Sequence, residues 1–263
     1  MPAHVLHVEA LDVLVTLEVT GDELADAVRA AWRDAVTTPL ATDTRHQRTL
    51  TVALAGAEGG QAPDVTGDTV RDVLHWLSPA VTLAALDARA GELVLLHAAA
   101  LADPRTHATA ILVAASGTGK TTASTTLGSE LVYLSDETAG VDTDGRVTRY
   151  RKPLSLVGED HIKEQVAPSD LGLRLDPIEG RLGVVMFLER DPLHVGAPAL
   201  EDVDTIDALA LLAPQASALA RTDKPLHRLA DLCKAAGGAK RVRYAEAATL
   251  LPLVRALLKE TTG

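Results

Sequence analysis

One cysteine, Cys233, stands in 263 residues, so the chain has no intrachain disulfide framework and fits a reducing compartment. Aromatic residues are also scarce: one Phe, two Trp and three Tyr make up 2% of the chain. Hydrophobic residues reach 47%, so the core has to be packed mainly with Leu, Val and Ala. No apolar run attains the ~18 residues of a membrane span. Met1-Pro2-Ala3-His4 has no basic stretch leading into an apolar one. A cytoplasmic protein without a membrane partner is expected. Positive charge is in deficit, with 25 Lys and Arg against 36 Asp and Glu and a net charge of -11. That balance argues against nucleic acid as a partner. Anionic small ligands remain open, because local groups hold them rather than net charge. A homo-oligomer is left open.

At about 150 residues per domain, the length allows one elaborated domain or two. The alternation of Leu11, Val13, Val15, Leu17 and Val19 has the period of a half-buried strand. Thr20-Gly21-Asp22-Glu23 reads as a capping box for a helix carrying Leu24, Val28, Ala31 and Trp32. Arg48 to Leu54 reads as a further strand, and Ala55 to Asp64 as a linker. Two helices are predicted next, one with Val70, Val73, Leu74 and Leu77, the other starting at Ser78-Pro79 and ending near Gly91. The apolar runs Leu93 to Leu96, Ala110 to Ala115 and Gly183 to Leu188 suit strands buried on both faces. The last third reads as mostly helical (Asp202 to Leu212, Pro225 to Ala236, Leu251 to Lys259), with a short strand from Arg241 to Tyr244. Alternating helices and buried strands give the class α/β. The expected division is a small α+β lobe over residues 1–65 and a second domain over 66–263.

The segment Ile111 to Thr122 carries the chemistry. An apolar strand runs into Ala115-Ser116-Gly117-Thr118-Gly119-Lys120-Thr121-Thr122 and on into a helix, the setting a Walker A phosphate loop requires. Glycines let backbone N–H groups turn toward phosphate oxygens at a helix N-terminus whose dipole favours anions. Lys120 is placed to neutralise β/γ charge and the Thr121 hydroxyl to ligate Mg²⁺. The first glycine of the motif is Ala114 here. A nucleoside triphosphate, ATP or GTP, with Mg²⁺ is therefore the expected ligand, through Ser116, Gly117, Thr118, Gly119, Lys120, Thr121 and Thr122. Fifteen residues past Thr121, the apolar run Leu131 to Leu134 ends in Ser135-Asp136-Glu137. Paired acids at a strand end beside a phosphate loop suit metal binding or proton abstraction from a hydroxyl.

Leu96-His97-Ala98-Ala99-Ala100, the phosphate loop and Leu134-Ser135-Asp136-Glu137 together resemble the catalytic core of HPr kinase/phosphorylase-type protein kinases. The nucleotide segment is also similar to that of ATP-dependent phosphoenolpyruvate carboxykinases. Arg149-Tyr150-Arg151-Lys152-Pro153-Leu154-Ser155-Leu156 resembles the Lys-Pro-Leu-Ser segment of HPr-kinase-like enzymes that modify peptides. The resemblance covers roughly residues 91–160. It implies a P-loop core, Asp136 as general base toward an acceptor hydroxyl, and His97 orienting that carboxylate. Glu137 takes the place of the family's second Asp and implies metal binding with Thr121 and Asp136. The signature that flanks the HPr-binding end is absent, as is an oxaloacetate site. The acceptor is then a Ser/Thr side chain of a peptide or protein, or a small hydroxyl compound. A nucleotide-binding regulatory module without phosphoryl transfer is the rival function.

Arg151 and Lys152, with Lys163, offer an acceptor-binding cluster or a solvated face after the hairpin turn Asp142-Thr143-Asp144-Gly145. Arg241 and Arg243 read as surface residues, and Cys233 as packing on an apolar helix face. The other eight histidines show no metal-ligand spacing.

Overall fold

The computed structural model describes residues 3–39, 46–57, 62–115, 119–157 and 163–260. In chain order the first elements are β1 (Ala3–Ala10), β2 (Val13–Thr20), α1 (Asp22–Trp32), β3 (His46–Leu54), β4 (Val65–Gly67) and α2 (Val70–Arg89). There follow β5 (Val94–Leu96), β6 (Ala98–Ala102), β7 (Ala108–Val113), α3 (Lys120–Gly128), β8 (Val132–Ser135), β9 (Ala139–Val141) and β10 (Arg146–Val147). The chain continues through β11 (Leu154–Val157), β12 (Lys163–Val166), β13 (Gly180–Arg190), β14 (Ala199–Val203) and α4 (Thr205–Leu212). It ends with β15 (Ala216–Ser217), α5 (Pro225–Ala235), β16 (Ala239–Tyr244) and α6 (Leu250–Glu260). The α/β class is as expected.

Two compact units divide the chain: Met1–Arg89 with Tyr150–Leu171, and Ala90–Arg149 with Gly172–Gly263. The expected boundary at residue 65 therefore lies inside the first unit. The reason is α2, which packs across β2, β3 and β4 and gives their sheet its buried face. Ala55 to Asp64 is a connection within that unit. Its described end is tied down where the Asp64 carboxylate accepts from the N–H and hydroxyl of Thr51, each at 2.8 Å.

In the first unit the sheet order is β1-β2-β3-β4. β1 and β2 form a hairpin whose turn residues, Leu11 and Asp12, both take positive φ (54° and 61°), the backbone of a type I′ turn. α1 begins at Asp22 with Gly21 at its N-cap and no side-chain cap bond, so the expected capping box does not form. Thr20 is used instead as the last residue of β2, paired with Ala3. The two helices expected around Ser78-Pro79 are one, because Pro79 sits inside α2. A proline there removes one backbone hydrogen bond. The continuous buried stripe of Val73, Leu77, Val81, Ala85 and Ala88 holds the helix together across it. The hairpin β11–β12 completes this unit.

The second unit is built on a mixed sheet. β8, β6 and β7 are antiparallel neighbours, β7, β13 and β16 run parallel, and β14 returns antiparallel to β16. The start of β13 also pairs with β10, which leads through β9 to β5 and β15. The turn from Asp142 to Gly145 joins β9 to β10 as a hairpin, with Gly145 at φ 76°. Asp202 and Val203, expected as helix, belong to β14, and Asp204 caps α4 by accepting from the N–H groups of Ile206 and Asp207. Cys233 is buried, and burial pushes its thiol pKa up, in keeping with packing.

Candidate functional site

The sheet register of the second unit gathers several strand ends at one edge. Val113, the last residue of β7, pairs with Ala98 of β6 on one side and Phe187 of β13 on the other. Ala100 of β6 pairs with Ser135, so β8 ends at this edge too. Arg190 pairs with Tyr244, so β13 and β16 end here as well. Ligands of parallel α/β sheets collect beyond carboxyl strand ends, where loops leave the core.

From β7 the chain passes through Ala114 and Ala115 toward Gly119 and α3. Ser116, Gly117 and Thr118 lie outside the described residues. Gly119 stands at the α3 N-cap with φ 95°, a left-handed backbone open mainly to glycine. Lys120 is the first helical residue and is 8% exposed, with its ammonium donating to the His97 carbonyl at 3.3 Å. Thr121 and Thr122 follow on the first turn, half-buried and exposed respectively. With four threonines in its nine residues, α3 is no strong helix former. Buried Ala123, Ser124, Leu127 and Gly128 anchor it on β6, β7 and β8.

His97 lies between β5 and β6, where the chain changes strand partners from β9 to β7 and β8. Its surroundings record the neighbourhood. Burial, and then the Lys120 charge, hold the imidazole pKa below its ordinary value. The Glu137 and Asp136 carboxylates and a hydrogen bond with the Glu137 backbone act in the opposite direction. Lys120, Asp136 and Glu137 thus each lie within electrostatic reach of His97.

Asp136 is 7% exposed and its Oδ1 accepts a hydrogen bond from the Tyr133 hydroxyl at 2.8 Å. Burial first, and the Asp136 charge second, drive the Tyr133 pKa well above the usual phenol value. Glu137 is half-buried, and its N–H and that of Thr138 donate to the Ser135 hydroxyl, fixing the turn after β8. Thr121, Asp136 and Glu137 are oxygen donors, the kind Mg²⁺ takes while keeping waters and sharing phosphate oxygens. Among the described residues no cluster of three or more His, Cys, Asp or Glu could by itself hold a metal ion.

Arg151, Lys152 and Lys163 belong to the first unit, whereas the groups above belong to the second. Lys152 is 3% exposed and donates to the Pro153 carbonyl at 3.1 Å; Arg151 is half-buried and Lys163 exposed.

Three further residues at this edge, Arg190, Tyr244 and Glu246, belong to no sequence motif. A cleft of about 410 Å³ beside the loop is lined by Gly119, Thr122, Arg190, Tyr244, Glu246 and Ala248, among others. A Cβ placed on Gly119 would stand 3.6 Å from Arg190 Cδ and 3.8 Å from the Tyr244 hydroxyl. Their signal in the sequence is positional: Arg190 follows the apolar run Gly183 to Leu188, and Tyr244 and Glu246 close or follow the short strand Arg241 to Tyr244.

No protein-family model matches this chain, and no curated protein matches it. Among solved structures it is similar to the Hpr(Ser) kinase/phosphatase from Coxiella burnetii, with 8% identity and a TM-score of 0.34. That match covers 63% of this chain and 94% of the other, a distant structural likeness.

Proposed function

We propose that the protein is an ATP- and Mg²⁺-dependent kinase that transfers the γ-phosphoryl group to a hydroxyl. One observation carries the proposal. Lys120, at the head of a helix that follows a buried strand and a Gly-Lys-Thr-Thr loop, shares its surroundings with His97, Asp136 and Glu137. A loop of this type holds triphosphate through backbone N–H groups, the helix N-terminus and its lysine. The acids at the end of β8 then face the end of the ligand where transfer occurs. Magnesium, when bound, supplies charge neutralisation, with Thr121, Asp136 and Glu137 as the residues that would hold it.

In this reading Lys120 binds and orients the phosphates. Asp136 aligns the acceptor hydroxyl and takes its proton on Oδ2, while Oδ1 stays on the Tyr133 hydroxyl. His97, kept neutral by burial and by Lys120, positions the segment that carries Asp136 and Glu137. The acceptor class is a Ser/Thr side chain of a peptide or protein, or a small hydroxyl compound.

A second reading, nucleotide binding without transfer, draws on the Tyr133–Asp136 bond, because a buried and engaged carboxylate also suits a purely structural turn. A panel of hydroxyl-bearing acceptors incubated with MgATP, each read by mass for the gain of one phosphoryl group, tests the proposal. Acceptor-dependent ADP release with a phosphorylated product supports transfer. Nucleotide binding with no product across the panel supports the module.

A further inference from the structure

The edge that carries the phosphate loop has two unlike flanks. Beyond β7 on one side lie β6 and β8, whose ends bring His97, Asp136 and Glu137 toward Lys120. Beyond β7 on the other side lie β13 and β16, whose ends carry Arg190 and Tyr244. A linear triphosphate held at the loop has two ends with different needs. The γ end needs carboxylates near the lysine, and at the β6/β8 ends Asp136 and Glu137 share the surroundings of His97 with Lys120. With the γ end on that side, the other end runs across the first turn of α3 toward β13 and β16. There the cleft of about 410 Å³ opens, sharing Gly119 and Thr122 with the loop itself.

The lining of this cleft has the chemistry of a nucleoside rather than of a further phosphate. Tyr244 is buried and lines the cleft, with its hydroxyl 3.8 Å from where a Cβ on Gly119 would stand. Arg190 lines it too, its guanidinium donating to the Ala245 carbonyl at 3.2 Å, with Glu246 at 3.9 Å. A planar guanidinium stacks on base faces. The Glu246 carboxylate repels phosphate but accepts hydrogen bonds from hydroxyls and amino groups. Ala247 and Ala248 add small side chains that leave room for a ring.

We propose that the cleft between the first turn of α3 and the ends of β13 and β16 is the nucleoside subsite, with Arg190 stacking on the base and Glu246 accepting from sugar hydroxyls. The proposal rests on the phosphate-loop reading above and adds residues that the loop motif does not contain. It assigns the two flanks opposite tasks: reaction on the β8 side, recognition of the donor on the β16 side.

Titration of the intact protein with MgATP and, separately, with magnesium and inorganic tripolyphosphate tests it. Tripolyphosphate carries the phosphates without the nucleoside, so the ratio of the two affinities reads the cleft alone. Wild type should prefer ATP by about tenfold or more, the order of one base-stacking contact. Ala248→Trp, at an exposed position, fills the cleft and should remove that preference while changing tripolyphosphate affinity by less than about threefold. Arg190→Ala should lower the preference in the same direction. Unchanged preference in both variants overturns the subsite and leaves the phosphate loop standing. Equal weakening of both ligands also overturns it, because the cleft would then serve phosphates. A wild type that binds neither ligand overturns the phosphate-loop reading, and the subsite with it.

Discussion

The Tyr133 hydroxyl donates to Oδ1 of Asp136 at 2.8 Å, three residues away across the end of β8, with both side chains buried. A phenol in this position fixes one carboxylate oxygen and leaves the orientation of the other determined. Its burial and the adjacent charge keep it protonated far past the usual phenol range.

Tyr133→Phe removes that donor without changing the ring. A buried bond to a charged group is worth roughly 1.5–3 kcal/mol, so the variant should unfold at lower denaturant. The pH dependence has a definite sign. The folded pKa of Tyr133 is raised well above the ordinary phenol value of 10.0, so its contribution is intact below that pH and declines as pH rises beyond it. Denaturant melts between neutral and strongly alkaline pH should show this alkaline loss in wild type and a smaller one in Tyr133→Phe.

His97 titrates in the opposite sense. Its folded pKa is depressed from 6.5, chiefly by burial and then by Lys120. Above 6.5 both folded and unfolded forms are neutral; below it the unfolded chain takes up the proton first, so stability falls as pH drops through the folded value. His97→Asn should flatten this part of the stability profile. An unaltered acid slope in the variant would assign the slope to other groups.

Pro79 inside α2 makes a prediction about the first unit. Pro79 is exposed, and proline in a helix interior costs up to ~3 kcal/mol against alanine. Pro79→Ala should raise the thermal midpoint, with helix content at least that of wild type by circular dichroism. A lowered midpoint would mean that the proline fits a bend the packing requires.

These residues also mark what the chain made legible. The alternation along β2 and the apolar run of β13 are written plainly in Val13 to Val19 and Gly183 to Leu188, because half-buried and fully buried strands leave periodic and continuous patterns. β6 is not legible: Ala98-Ala99-Ala100-Leu101-Ala102 has little strand propensity and becomes a strand by lying between β7 and β8. Thr20 reads as a helix cap by local chemistry and is overruled by its pairing with Ala3. Ser78-Pro79 reads as a helix start, and the buried stripe of α2 overrules it. At the site, Lys120 and Thr121 are legible as candidates because a loop motif sets them side by side, and Asp136 and Glu137 because two acids close an apolar run. Arg190, Tyr244 and Glu246 come together only through the register of β13 on β16, which no local pattern records.

The central claim, phosphoryl transfer with Asp136 as base, is tested most directly by Asp136→Asn. This substitution keeps shape and removes the charge that accepts the proton. Nucleotide affinity and product formation are measured on the same preparation, with an acceptor that wild type phosphorylates. The expected result is MgATP affinity close to wild type, since the loop, Lys120 and Thr121 are untouched, together with a rate lower by about 10²–10⁴-fold. A variant that binds MgATP and still forms phosphorylated product near the wild-type rate would contradict the account and leave Asp136 as a turn residue held by Tyr133.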